Sequence, residues 1–185
     1  MAEKIAFIFV QKGIAEKDRS EIYSYGLELL IATLLNGILV FATALIVGVV
    51  SQTVFLLLPF FLLRRLAGGF HAKTHIGCMT GFLTVYWVSL YVLKSLPTGS
   101  LVIVSAVMLT VSAAIILCIG AIVHENNPVE ENDYITFKRK ARITTSILFA
   151  VGMTGLYFCP VWAVWFSFGV SIAAGSLLAA RINKK

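Results

Sequence analysis

The sequence predicts an all-α, polytopic membrane protein with six transmembrane helices and both termini in the cytoplasm. Three observations predict it. The 185 residues are 59% hydrophobic and only 13% charged, against roughly 25% charge in a soluble domain. The apolar residues gather in runs of span length. The basic residues fall between those runs in a pattern that orients the chain.

The elements follow in order. Residues 1–17 carry the apolar stretch Ile5–Val10, too short to cross and expected to lie on the membrane surface. The charges that follow it, from Lys12 to Glu21, and the lack of a small-residue cleavage site argue against a signal peptide. Asp18 stands three residues before Glu21, as in a capping box, and marks a helix start. The apolar run from Leu27 to Leu63 would extend about 55 Å as one helix, against a hydrocarbon core of about 30 Å. It therefore holds two spans, near 27–47 and 50–63, folded back at residues 48–52, and Pro59 is expected to kink the second. Further spans are expected over 79–96, 101–123, 143–158 and 161–180. Pro97–Ser100 and Cys159–Pro160 form the tight turns between them. No linker divides the chain, so residues 1–185 read as a single transmembrane domain.

Charge sets the orientation. With the N-terminus inside, the cytoplasmic segments hold Lys4, Lys12, Lys17 and Arg19; Arg64, Arg65 and Lys73; Lys138, Arg139, Lys140 and Arg142; and Arg181, Lys184 and Lys185. Only Lys94 falls outside, at a helix end where it snorkels. An odd number of spans breaks this partition. The net charge of +6 is thus accounted for by topology, with membrane lipid as the partner and no nucleic acid.

Residues 64–78, from Arg64 to Cys78, form a polar island between the second and third spans, on the cytoplasmic side. It concentrates Arg64, Arg65, Gly68, Gly69, His71, Lys73, His75, Gly77 and Cys78, and polar residues so placed in a membrane protein point to function. Cysteine attacks as its thiolate, and a nearby histidine takes up the proton. His71 and Cys78 are seven residues apart, which puts them about 10.5 Å apart along a straight helix, beyond hydrogen-bond reach. The chain must therefore bend between them, and Gly68, Gly69 and Gly77 supply the freedom. Cys78 then opens the span at Met79, where a helix N-terminus favours negative charge. The amides of Gly77 and Cys78 are candidate oxyanion donors. His75, one helical turn before Cys78, competes with His71 as base, and spacing does not choose between them.

Other polar groups take lesser parts. Glu28, just inside the first span, needs a partner among His71, Arg64 and Arg65. Asn36 reads as a helix-packing hydrogen bond. Cys118 reads as a small core residue, and the odd cysteine count in a reducing compartment argues against a disulfide framework. His71, His75, His124 and Glu125 lack metal-ligand spacing, so neither metal nor cofactor is expected.

The string Arg64-x4-Gly69-Phe70-His71-Ala72-x5-Cys78 resembles the signature of the accessory gene regulator B (AgrB) family, membrane cysteine endopeptidases that process propeptides of bacterial quorum-sensing pheromones. The likeness extends over nearly the whole chain. Tyr25-Gly26-Leu27-Glu28 is similar to the family's first helix. His124–Val129 with the basic run Lys138–Arg142 is similar to its second cytoplasmic loop.

The resemblance implies that Cys78 and His71 are the catalytic pair and that Arg64 and Gly69 are needed for activity. It implies an AgrD-like propeptide as substrate, a homodimer, and the cell membrane of a bacterium with the active site facing the cytoplasm. The propeptide's acidic tail would meet Arg64, Arg65, Lys138 and Arg139. Its core would be cyclised to a thiolactone or lactone from an acyl-thioester on Cys78. The alternative is a non-catalytic transporter or scaffold in which residues 64–78 gate or bind. The scarcity of polar groups deep in the spans argues against a transporter.

Overall fold

The computed structural model describes residues 20–70, 74–122 and 131–183. Among them are six helices and no strand: α1 (Ser20–Val47), α2 (Val50–Ala67), α3 (His75–Ser95), α4 (Thr98–Ile119), α5 (Glu131–Phe158) and α6 (Pro160–Asn183). All six are long and apolar enough to cross a membrane. The surface segment expected in residues 1–17 and the capping box at Asp18 lie outside the described residues.

The connections are short where turn residues crowd. Gly48 and Val49 alone separate α1 from α2, and Cys159 alone separates α5 from α6. There Pro160 takes the first helical position, which its fixed φ suits, and the Cys159 carbonyl accepts the Trp162 and Ala163 N–H groups at 3.2 and 3.1 Å. Proline does not end α2, which continues through Pro59 to Ala67.

The chain divides into two compact units. The first holds α1 and α3 as far as Tyr86. In it α1 turns Leu30, Leu34, Ile38 and Leu45 outward, as a lipid-facing helix does.

The second unit holds α2, the rest of α3, and α4 to α6. Its centre is α6, in which every residue from Ala163 to Val170 is buried; a helix apolar all round belongs inside a bundle. α2 pairs with it most extensively, followed by α4. Small residues allow the approach: a Cβ on Gly169 would stand 2.9 Å from the Pro59 ring, and one on Gly155 would stand 3.0 Å from the Ala163 methyl. Ser112 and Ser171 join α4 to α6 through their hydroxyls at 3.1 Å. Cys118, expected in the core, is exposed on α4. Cys78, Cys118 and Cys159 are all free thiols.

Candidate functional site

The polar island is shorter than its composition implied. Arg64 and Arg65 occupy the last turn of α2, and Cys78 lies in the first turn of α3, so residues 68–74 form the connection. Long basic side chains favour a helix C-terminus, where they meet the exposed carbonyls.

At its start this connection is tied down by tertiary contacts. Gly68 caps α2 with φ 76° and ψ −152°, a conformation reserved in practice for glycine. Its N–H donates to the Arg64 carbonyl at 3.2 Å, and the Ile122 N–H donates to the Ala67 carbonyl at 2.9 Å. A Cβ on Gly68 would lie 2.5 Å from the Ile122 oxygen. Gly69 follows at φ 151°, where a Cβ would overlap the Arg64 guanidinium and stand 2.5 Å from Ser176 Oγ.

That guanidinium is a strut. Nη1 donates to Ser176 Oγ on α6, and Nη2 donates to the Phe70 carbonyl. The Phe70 N–H donates to the Ser176 carbonyl at 2.9 Å and lies 3.2 Å from its hydroxyl. Both terminal nitrogens of Arg64 are thus engaged within the chain. Arg65, one residue on, is exposed and is the arginine of the pair that faces outward. Ser176 belongs to no motif, and only the fold brings it to residue 70.

The far side of the connection is held locally. Thr74 stands just before α3: its Oγ1 accepts the Gly77 N–H at 3.1 Å, and its carbonyl accepts the Cys78 N–H at 3.1 Å. This is N-cap chemistry, with a threonine satisfying amides that the helix leaves unpaired. It moves the helix start to His75, four residues ahead of the Met79 expected from hydropathy. Thr74 itself lies outside the helix that carries Cys78. The same bonds engage both amides considered as oxyanion donors. The Cys78 thiol is exposed. One turn further, a Cβ on the exposed Gly81 would meet nothing within 4 Å.

His71 lies outside the described residues, as do Lys73, His124 and Glu125. His75 is the first residue of α3, and Glu28 lies within α1; the side chains of both lie outside the described set. Among the described residues no group of His, Cys, Asp and Glu could hold a metal ion.

The basic run 138–142, expected in a loop, is helical and belongs to α5. The stem of Lys138 lies against Gly120, whose Cβ would meet Lys138 Cγ at 2.5 Å. Its ammonium sits 5.8 Å from the centre of the Tyr134 ring, within cation–π range. Arg142 Nε donates to the Leu117 carbonyl at 3.0 Å, and Tyr134 Oη donates to the Ala121 carbonyl at 3.3 Å. The first answers an unpaired carbonyl in the last turn of α4, and the second holds the chain just beyond it. Tyr134, Ile135, Lys138, Arg139, Arg142 and Ile143 line a shallow depression of about 400 Å³. Within the second unit, then, the ends of α2, α4 and α6 and the start of α5 are bonded into one basic end.

Fold and site together define a membrane protein with six spanning helices among the described residues, an exposed cysteine in the first turn of a helix and a glycine–arginine knot just upstream. Residues 2–179 match the family described as Accessory gene regulator B, and the chain belongs to that family. Its relatives include proteins described as AgrB-like from Listeria monocytogenes serotype 4a (strain HCC23), 27% identical over 83% of this chain and 76% of theirs. Another, from Listeria innocua serovar 6a, is 26% identical over the same shares. No solved structure matches. Membership gives the chain a role in the agr quorum-sensing system.

Proposed function

We propose that this protein is a membrane cysteine endopeptidase that removes the C-terminal tail of an AgrD-like propeptide and cyclises its core. The observation that carries the proposal is the motif as folded: Cys78 presents a free, exposed thiol in the first turn of α3, seven residues after the histidine of the family string. The loop faces the cytoplasm of a bacterial cell, as the distribution of basic residues favours.

The Cys78 thiolate attacks the carbonyl carbon joining core to tail. The C–N bond breaks as His71 delivers the proton it took from the thiol to the departing amine. The core remains as an acyl-thioester on Cys78. A thiol or hydroxyl within the core then attacks that carbonyl, His71 accepts its proton, and the Cys78 thiolate leaves. Exchange of one thioester for another is nearly neutral in energy, so the step depends on positioning and exclusion of water. The acidic tail is held by Arg65, Lys138 and Arg139, whose exposed or half-exposed cations suit carboxylates. Arg64 and Gly69 support the loop, and Glu28 pairs with a motif cation.

Co-expression with a propeptide provides the test. Cys78→Ala inserts normally and leaves the propeptide uncut; full processing by that variant would sink the proposal. His71→Ala and His75→Ala, compared in parallel, assign the base: loss of processing follows the first and not the second. A thioester adduct trapped by a core lacking its nucleophile identifies the acyl-enzyme by mass.

A further inference from the structure

We infer that Ser176, near the end of α6, is a positioning residue for this reaction: it orients the peptide through which the chain enters His71. The inference rests on the reading of His71 as base. Ser176 lies 106 residues beyond Phe70 in sequence, yet it meets the motif twice. Its carbonyl accepts the Phe70 N–H at 2.9 Å. Its hydroxyl lies 3.2 Å from the same nitrogen and accepts from Arg64 Nη1. The other arm of that guanidinium donates to the Phe70 carbonyl.

The Phe70 oxygen belongs to the Phe70–His71 peptide plane. Both polar backbone atoms of residue 70 are therefore held, one directly by Ser176 and one by an arginine that Ser176 holds. A lone arginine is a poor anchor, because fixing its long, rotamer-rich side chain costs conformational entropy. A second fixed partner for the planar fork offsets that cost and sets its direction. Gly69 keeps the space open, since any side chain there would displace the guanidinium.

The hydroxyl can be removed without cutting the backbone bond, which makes Ser176→Ala a mild change. The experiment measures the rate at which iodoacetamide alkylates Cys78 across the neutral pH range. It uses the full chain in lipid vesicles and reads the product by peptide mass. Cys118 and Cys159, both exposed, serve as internal references. Ser176→Ala slows alkylation of Cys78 about tenfold, part of the hundredfold or so that an ångström of misplacement can cost. It moves the pH profile toward that of His71→Ala and leaves the two reference cysteines unchanged. Ser176→Thr, which keeps the hydroxyl, restores the profile.

Arg64→Lys keeps the charge but loses the fork, and it shifts the profile in the same way. A wild-type profile in Arg64→Lys overturns the inference even if Ser176→Ala fails to insert. A wild-type profile in Ser176→Ala beside an altered one in His71→Ala overturns the inference and leaves the base in place. A wild-type profile in His71→Ala refutes the base, and the role of Ser176 falls with it.

Discussion

The two halves of the motif are held in different ways. From Arg64 to Phe70 the chain is knotted to distant parts of the fold: Ala67 to Ile122, Phe70 and Arg64 to Ser176. From Thr74 to Gly81 it is held by neighbours in sequence: Thr74 receives the amides of Gly77 and Cys78, and Thr80 Oγ1 donates to the Ile76 carbonyl at 2.9 Å. The half that leads to the proposed base depends on Ile122, beyond the end of α4, and on Ser176 in α6. The half that bears the proposed nucleophile depends on a helix cap. Thr74 caps α3 with bonds inside its own first turn, whereas the glycine turn at residues 68–69 takes its support from outside.

Glycine substitutions break this comparison most sharply. Gly68→Ala forces a side chain into a backbone region that costs about 1–3 kcal/mol and drives a Cβ to 2.5 Å from the Ile122 oxygen. Its midpoint of thermal unfolding in detergent falls by several degrees, and propeptide processing is lost with it. Thr74→Ala has a middle effect: loss of the cap costs about 1 kcal/mol. The Gly77 amide, which bonds the lost hydroxyl, then exchanges with deuterium about fivefold faster, while the Phe70 amide keeps its protection. Equal acceleration at Phe70 would show that the halves are not independently held. Gly81→Ala has the smallest effect. Its Cβ meets open space, so stability is unchanged or rises by up to about 1 kcal/mol from helix propensity. A lower unfolding midpoint in that variant would mean that the face beside Cys78 is packed.

Much of this was legible in the sequence because membrane burial is a one-dimensional signal. The six spans follow from run length against bilayer thickness, and the turn at Gly48–Val49 follows from the excess length of the run before it. The helix ends were less legible. Hydropathy ends the second span near Leu63 and begins the third at Met79, but Arg64, Arg65 and Cys78 are all helical, because hydrogen bonding and capping continue where apolarity stops. The signal for the third span was present in Thr74, a capping residue just ahead of the helix. The basic run 138–142 reads as loop by charge, yet it forms the early turns of α5. A helix that emerges from a membrane can be charged on every face.

Ser176 was not legible at all. It is one serine among small residues in an apolar helix, and nothing in its own surroundings marks it out. By itself the sequence determined the class, the six runs of span length and which residue types gather at 64–78, since each depends on composition along a line. Only the tertiary structure decided that Arg64 turns inward to Ser176 and Phe70, that Gly68 is required by the nearby Ile122 backbone and Gly69 by the Arg64 and Ser176 side chains, and that Lys138 and Arg142 close the end of α4. Those contacts join residues far apart in the chain, and their partners are fixed only once the helices have packed.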